Sequence, residues 1–183
     1  MTEQQLISME TFKVVSKAIT ESDDLEILGQ HMCHLLVSTL QIKGCTIFLL
    51  AQEQTRLEPL ASFGLSKQYL RKGSLDPRKT LNETIKKEPI IIRDTELEQK
   101  LQYPEHAQKE GIRSILAIPI IFAAEPIGAF RLYHNMSWDI GDQDVDSLFV
   151  LGEIMGMAIQ YATAVNSLRH IKQSLDILPF SLD

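Results

Sequence analysis

The sequence predicts an α+β domain, and the main observation behind this prediction is a pair of adjacent apolar segments. Residues 111–120 and 127–133 are almost entirely apolar, and a short turn at 124–126 joins them. Strands of this kind are covered on both faces, so we expect the pair at the centre of a sheet. A long helix rich in small residues follows directly, and no pattern of acids, bases or nucleophiles accompanies the strands.

Composition narrows the class of protein. The chain has 183 residues, 44% hydrophobic and 23% charged, which is typical of one globular domain with an additional helix. The net charge is −6, and lysine and arginine form only pairs such as Arg71-Lys72 and Lys86-Lys87. We therefore expect no nucleic-acid partner and no anionic membrane surface, since both require clustered positive charge.

Cysteine content and apolar runs suggest a cellular location. Cys33 and Cys45 fall on different predicted elements and outside any CxxC pair, as is usual for reduced thiols. The first residues lack the basic and apolar regions of a signal peptide. The longest apolar run, 115–124, is too short to span a bilayer. These features predict a soluble, cytoplasmic protein.

Two amphipathic helices are predicted at the N-terminus. Apolar residues recur at three- and four-residue steps across residues 4–19, and again from Leu25 to Leu40. Ser22 or Asp23 is a suitable N-cap for the second helix, because its side-chain oxygen can accept a hydrogen bond from a free amide. Glu26 lies three residues after Asp23, which resembles a capping box.

Short strands and polar connections fill the region up to the apolar pair. Residues 45–50 and 56–63 are predicted to form a hairpin, and Pro59 is best tolerated if the second strand is an edge. Gly64 is suited to an unusual backbone angle where this strand ends. A polar connection follows, then a helix at 80–87, a strand at 89–92, and a largely irregular stretch over 96–108.

The final helix begins near 139–142 and is predicted to run past residue 174. Gly152 and Gly156 are four residues apart, which would let another backbone approach closely, and we expect that backbone to be the sheet near Gly128. Further along, an apolar stripe steps by threes and fours: Val165, Leu168, Ile171 or Lys172, Leu175 and Leu178. This stripe needs a partner, either the first helix or the helices of a second subunit.

Taken in order, these segments resemble the GAF domain family over residues 22–162. The segments that carry the resemblance are the helix at 23–40, the strand at 44–50, Phe63-Gly64-Leu65-Ser66, residues 88–94, the two apolar strands, and the acidic helix start Asp142-Gln143-Asp144-Val145. The resemblance implies a central antiparallel sheet of five to six strands. It also implies that the N- and C-terminal helices pack on one face and that a ligand pocket lies on the other. Residues 1–21 and 163–183 would then be helical extensions, involved in dimerisation or packing.

Signatures of the well-known ligand-binding classes within this family are mostly missing. Pigment-binding members carry a cysteine near the stretch corresponding to 103–106, and this chain has none there. The Asn-Lys…Phe…Asp-Glu pattern of cyclic-nucleotide binders is missing as well. Haem-binding members use a histidine, for which His106 is a weak equivalent. The resemblance therefore assigns no cofactor.

Two arginines are candidate ligand-binding residues. Arg113 and Ser114 begin the first apolar strand, where Arg113 could hold a carboxylate or phosphate, or could pair with Asp94 or Glu110. Arg131 interrupts the second apolar strand, and alternation places it on the same face as Tyr133. A buried guanidinium needs a partner, so Arg131 is interpreted either as a pocket residue or as an ion-paired one.

Aromatic side chains form the rest of the candidate site. Phe63, Tyr69, Tyr103 and His106 lie on or beside loops that would cover the pocket, where they either stack on a flat ligand or pack the loops themselves. His31 and His34 are only three residues apart on a helix, which does not match the usual i, i+4 metal pair. The sequence therefore assigns no metal and no catalytic residue.

The function expected from this pattern is non-enzymatic sensing. The hypothesis is a regulatory GAF domain in signal transduction that binds an unidentified small molecule, forms a homodimer through its terminal helices and acts on a downstream signalling protein. One alternative is a small redox enzyme of the free methionine sulfoxide reductase type, which would need a reactive thiol. Another is a purely structural dimerisation module with a collapsed pocket.

Overall fold

The computed structural model describes residues 7, 9–21, 24–51, 56–73, 75, 88–98 and 101–176. The helices in this part of the chain are α1 (Met9–Glu21), α2 (Leu25–Leu40), α3 (Lys67–Leu70), α4 (Pro104–Glu110) and α5 (Asp142–Asp176). The strands are β1 (Gly44–Leu50), β2 (Leu57–Phe63), β3 (Ile90–Ile92), β4 (Ser114–Phe122) and β5 (Glu125–His134). The helix predicted at 80–87 lies outside the described residues.

The strands form one antiparallel sheet in the order β2-β1-β5-β4-β3. The two apolar segments are β4 and β5, and β5 is the middle strand, which confirms the prediction of an α+β fold built on a central apolar pair. The strand β2 lies at an edge, as Pro59 required. The register shifts beside Pro59, where Phe48 pairs with Pro59 and Ile47 pairs with Ala61.

All three long helices lie on one side of the sheet. The helix α2 packs on β1 and β2, α5 packs on β4, and α1 packs on both helices. Alternate residues of the central strands, including Phe130 and Leu132, point into this layer and are fully buried. Each such large apolar side chain stabilises the fold by about 1.5–3 kcal/mol on burial, which makes this layer the main core.

The N-terminal helices differ from the sequence prediction in detail. The cap of α2 is Asp24, whose Oδ1 accepts hydrogen bonds of 3.0 Å from the backbone N–H groups of both Glu26 and Ile27. The cap therefore lies one or two residues later than expected, because the helix starts at Leu25. In α1, which was expected to begin at residue 4, Met9 is exposed rather than part of the apolar face, and Ile7 enters the core from a bend. The N–H of Ile7 donates to Asp144 at the start of α5.

The turn between β4 and β5 is tighter than predicted. Its two central residues are Ala123 and Ala124, and β5 already begins at Glu125. Both alanines have positive φ angles, 50° and 62°, as a two-residue hairpin turn of the left-handed type requires. Alanine carries a Cβ that disfavours this conformation by about 1 kcal/mol or more per residue.

Replacing Ala123-Ala124 by Asn-Gly should therefore stabilise the protein. We expect the free energy of unfolding to rise by about 1–2 kcal/mol, because these two residues adopt positive φ with little strain. Urea unfolding monitored by circular dichroism would measure the gain. A matched Ala51→Gly change, at the end of β1, should not stabilise. A loss of stability in the Asn-Gly variant would contradict the strain assigned to the turn.

Close packing of α5 against β4 explains the two helix glycines. A Cβ atom at Gly152 would collide with the carbonyl oxygen of Pro119, and a Cβ at Gly156 would collide with that of Ile121. These two residues of β4 lie on either side of Ile120, which pairs with Gly128, so the helix glycines do face the sheet near Gly128, although Gly128 itself lies against the backbone of β1 at Phe48. The small residues of α5 therefore bring its axis onto β4 instead of β5.

By length and composition, the segment 142–174 of α5 could also cross a membrane. Inside the domain, 44% of its most apolar window is buried. Its contact with β4 accounts for the buried part of that apolar character, and other apolar side chains of the helix are exposed.

Candidate functional site

The face of the sheet opposite the long helices carries the candidate site. Neighbouring residues of three strands form a polar row there, because Thr46 pairs with Ser62 on one side and with Arg131 on the other. The hydroxyl groups of Thr46 and Ser62 are 3.0 Å apart. Arg131 is 3% exposed, and its guanidinium carbon lies 5.9 Å from the ring centre of Phe48. A buried positive charge is therefore held in the middle of this face.

Two tyrosines cover Arg131 from the next row. Tyr133 is fully buried, and its ring meets that of Tyr69 edge to face with centres 5.7 Å apart. The Tyr133 hydroxyl has no hydrogen-bond partner among the described residues. Burial raises the pKa of Tyr133, although Arg131 and Thr46 act in the opposite direction. Burial likewise raises the pKa of Tyr69, so both phenols remain neutral.

Lys72 completes this group from the segment after α3. Its Nζ lies 3.4 Å from the ring centre of Tyr69 and donates to the Tyr69 carbonyl oxygen at 3.2 Å. Burial, together with the positive charge of Arg131, lowers the pKa of Lys72 to about 8, while Glu110 opposes the shift. Among the described residues, Arg131 and Glu110 are therefore the charges that act on Lys72, in opposite directions.

Glu110 at the end of α4 holds the helix α3 in place. Its carboxylate accepts hydrogen bonds from the N–H of Ser66 at 2.9 Å and from the Ser66 hydroxyl at 2.5 Å. The same hydroxyl caps α3 by accepting from the N–H of Tyr69. Lys43 lies 3.8 Å from the carboxylate. This network positions Tyr69 over the sheet.

A cavity of about 330 Å³ opens beside this group, between the sheet and residues 70–73 and 75. Its floor is apolar and includes Phe48, Leu57 and Pro59. Its lining also includes four charged residues, Arg56 and Glu58 from the β2 segment and Arg71 and Lys72 from the segment after α3. Small-molecule sites in proteins combine an apolar surface with a few placed polar groups in this way, and their volumes start near 300 Å³.

The aromatic residues that the sequence predicted for the site lie in different parts of the structure. Tyr69 and Tyr133 join Arg131 in the buried group. Tyr103 and His106 lie on or next to α4, with ring centres 5.7 Å apart, and the Tyr103 hydroxyl approaches Gly73 at the cavity rim. Phe63 lies on the helix side of the sheet, where it contacts His34 of α2. Phe63 therefore does not line the cavity.

Arg113 and Ser114 lie away from the cavity and hold loops. Arg113 pairs with Asp94 at 3.0 Å and with Glu96 at 2.9 Å, as one of the two interpretations expected. The buried Ser114 hydroxyl donates to the carbonyl oxygen of Met136 at 2.8 Å. These contacts join the start of β4 and the residue before it to neighbouring loops.

The two cysteines lie together on the helix side of the sheet. Cys33 and Cys45 are both fully buried in the main core. Burial, together with the neighbouring Cys33, raises the pKa of the Cys45 thiol well above its usual value. Such a thiol is a poor nucleophile, because the thiolate is the reactive form. Within the described part of the chain, no group of three His, Cys, Asp or Glu residues could hold a metal ion.

Sequence reasoning missed Lys72, Arg71 and the floor residues of the cavity. The signal available was the basic pair Arg71-Lys72 next to Gly73, a residue type that often marks a turn. Gly73 has a φ of 119°, so it does supply an unusual backbone angle. Long-range packing determines which of the side chains next to Gly73 point towards the sheet.

Comparison with solved structures supports the fold independently. A GAF domain from a phosphoenolpyruvate-protein phosphotransferase of Coxiella burnetii matches with a TM-score of 0.74 and 20% identity, covering 87% of this chain and 98% of that one. A domain of a putative two-component sensor histidine kinase from Sinorhizobium meliloti matches with a TM-score of 0.60 and 19% identity, covering 89% and 98%.

An enzyme is also among the similar structures. The free methionine-R-sulfoxide reductase from Neisseria meningitidis matches with a TM-score of 0.70 and 11% identity, covering 87% of this chain and 95% of that one. No curated protein matches the chain. At these identities the structural likeness establishes the fold and nothing further.

Sequence comparison identifies the family. The family model described as GAF domain matches residues 22–160, which is most of the chain and almost the range expected from the segment order. GAF domains occur in signalling proteins, among them sensor kinases and chemotaxis receptors. With the five-stranded antiparallel sheet, the helices on one face and the cavity on the other, this match shows that the chain belongs to the GAF domain family.

Proposed function

We propose that this GAF domain is a non-enzymatic regulatory module that binds a small molecule in the cavity beside Lys72. The cavity carries this proposal, because it combines an apolar floor with a charged wall on the sheet face opposite the long helices. Binding there would bias the position of β1, against which α2 packs on the other side. A ligand shifts such an equilibrium by its differential affinity for the two positions.

The second part of the proposal is a homodimer formed through α5. Exposed or half-buried apolar residues follow one another at alternating steps of four and three along this helix: Val150, Ile154, Met157, Tyr161, Ala164, Leu168 and Ile171. We call this set the α5 seam. It extends about 32 Å at 1.5 Å per residue, and the 3.5-residue period is that of a coiled coil.

Exposure and charge favour a second copy as the partner of the α5 seam. Tyr161, Leu168 and Ile171 are 66%, 67% and 57% exposed, which is unusual for such large apolar side chains. In a parallel pair the positions flanking the seam would bring Gln160 opposite Val165 and Ser167 opposite Lys172, with no like charges facing each other. A copy of the same helix is therefore not repelled.

The enzymatic alternative needs a reactive group in the cavity. The similar structure from Neisseria meningitidis is a reductase, and this similarity is the reason to consider the enzymatic alternative. However, the sequence contains only two cysteines, and both lie in the core on the far side of the sheet. The raised pKa of Cys45 further lowers its reactivity. A purely structural module is disfavoured by the open cavity.

Filling the cavity should abolish ligand binding. Leu70 is half-buried in the cavity wall, so Leu70→Trp places an indole ring in the space that a ligand would occupy. We expect at least one nucleotide, amino acid or small carboxylate to raise the melting temperature of the wild type by about 5 °C at saturation and to leave this variant unchanged.

The matched control is Gln68→Trp, which adds the same ring to the exposed side of α3 and should keep the response. A wild-type protein that responds to none of the compounds, together with a crystal structure in which side chains fill the cavity, would overturn the ligand-binding part of the proposal. Turnover of methionine sulfoxide that is lost in Cys45→Ser would overturn the non-enzymatic part.

A further inference from the structure

We propose that the cavity takes an organic anion, whose acidic group is bound by Lys72 and Arg71 and whose apolar body lies on Phe48 and Leu57. This inference rests on the proposed function and specifies its ligand class. The shared chemistry is an anionic oxygen group, either a carboxylate or a phosphate, attached to a small hydrocarbon body.

The charge of the cavity wall is the first step of the argument. Three of its described charged residues are basic and one is acidic. Arg56 and Glu58 form their own pair at 2.8 Å, and both are more than half exposed. Arg71 and Lys72 remain as two positive groups adjacent in sequence. An entering anion would therefore meet two cations that no carboxylate of the described lining neutralises.

The geometry of Lys72 is the second step. An ammonium group has three N–H donors, and the described structure gives this one a single hydrogen-bond acceptor, the carbonyl oxygen of Tyr69. The ring of Tyr69 lies beneath it at 3.4 Å and holds it by a cation–π contact. The carbonyl and the ring thus hold the side chain, and a third N–H is left for a ligand. Little further side-chain entropy is lost when a ligand binds.

The electrostatic surroundings of Lys72 are the third step. Arg131, a buried cation of β5, acts on it electrostatically, Tyr69 lies beneath it, and Tyr133 packs against Tyr69. Glu110 is the acid that acts on it from α4. Burial and Arg131 together lower the pKa of Lys72 to about 8, so the charged form is held at a cost that an anion would relieve.

The apolar floor of the cavity indicates that the rest of the ligand is an apolar body. Phe48 and Leu57 are 5% and 3% exposed, and Pro59 and Leu75 extend the same apolar surface. A volume of about 330 Å³ holds a body of one or two rings next to the acidic group. A fully hydrated ion such as inorganic phosphate would leave this floor uncovered.

The test uses probes that differ in their charge, in their acidic group or in the presence of an apolar ring. Benzoate and phenyl phosphate present the two anionic groups on one ring, benzamide is the neutral counterpart of benzoate, and inorganic phosphate lacks the ring. Isothermal titration of the wild-type protein near pH 7 should give binding of benzoate or phenyl phosphate at least about tenfold tighter than of benzamide or inorganic phosphate. The better of the two anions identifies which group the ligand carries.

Substitutions at Lys72 provide the decisive comparison. Lys72→Met should weaken binding of the anionic probe at least about tenfold, as expected for the loss of a charge-assisted hydrogen bond in a partly buried site. Lys67→Met is the matched control, since it removes the same charge from an exposed position of α3 outside the cavity wall. It should leave the affinity within about twofold of the wild type.

The pH dependence has a defined sign. Raising the pH from about 7 to about 9 deprotonates a lysine whose pKa is about 8, so affinity for benzoate should fall about tenfold. Benzoate itself remains charged across this range. In Lys72→Arg the guanidinium stays protonated, so binding should persist and the fall should shrink to less than about twofold.

Stability distinguishes a ligand-binding lysine from a structural one. Because the folded pKa of Lys72 lies below its ordinary 10.5, the folded protein binds fewer protons between about pH 8 and that value, and its stability rises with pH there. Below pH 8 the charged lysine opposes folding. The Lys72→Met variant should therefore have the same or a higher melting temperature at pH 7, although its binding of the anionic probe is weakened.

Three outcomes would overturn the inference: equal affinity for benzoate and benzamide, unchanged anion binding in Lys72→Met, or no binding of any probe. These failures are separable from failure of the proposed function. If Leu70→Trp abolishes binding and Lys72→Met does not, the cavity binds the ligand, but Lys72 does not bind its acidic group. If neither variant changes binding, the cavity is not the binding site.

Discussion

Gly156→Ala should lower the free energy of unfolding by about 2–3 kcal/mol. At an ordinary helix position this change stabilises by about 1 kcal/mol, because alanine restricts the unfolded chain and favours the helix. At Gly156 the new Cβ would collide with the carbonyl oxygen of Ile121 in β4. A backbone oxygen cannot rotate away, so α5 must shift from the sheet and loosen the contacts of Met155 and Ile159.

Thermal and urea unfolding would measure this loss, which corresponds to a fall of about 5–10 °C in melting temperature for a chain of this size. Ser167→Ala is the matched control, since Ser167 is exposed on the same helix and gains helix propensity without a collision. A variant at Gly156 that is as stable as the wild type would show that α5 does not lie on β4 as closely as described.

A double substitution in the α5 seam should convert the proposed dimer into a monomer. Leu168→Glu with Ile171→Glu places two carboxylates per chain at positions that a second copy would cover. Desolvating like charges at such an interface costs several kcal/mol, so we expect the dissociation constant to rise at least about a hundredfold. Both side chains are exposed in the single chain, so its stability should hardly change.

Size-exclusion chromatography with light scattering on wild type and variant would measure this effect. His170→Glu adds a carboxylate at an exposed position of the same helix outside the seam, and should leave the dimer intact. A wild-type protein that is monomeric at high concentration would refute the homodimer. A variant that remains fully dimeric would place the interface elsewhere.

Core elements were predictable because their signals are local. The apolar content of β4 and β5 indicated their central position, and the period of α2 indicated its buried face. Segment order then indicated the family over residues 22–162, close to the matched range of 22–160. The ends of the elements were predicted less accurately. The N-cap of α2 is Asp24 and the turn after β4 begins at Ala123, and each position depends on the backbone geometry of only one or two residues.

The candidate site was only partly predictable. Alternation along β5 correctly grouped Arg131 with Tyr133 opposite the helix layer, and Tyr69 meets them there. Phe63 could not be assigned correctly, because the register shift in β2 and its contact with His34 are not visible in the sequence. Arg113 and Arg131 look alike as single arginines in apolar strands, and only the positions of Asp94 and Glu96 separate them.

By itself, the amino-acid sequence determined the α+β class, the central strand pair and the family. Hydrophobic periodicity and segment order can be recognised without any knowledge of distant contacts. Only the tertiary structure decided which charges lie close together. Lys72, Arg131 and Glu110 are far apart along the chain and meet because α3 and α4 are tied together over the sheet by Ser66. Electrostatic character depends on distance and burial, and both arise only on folding.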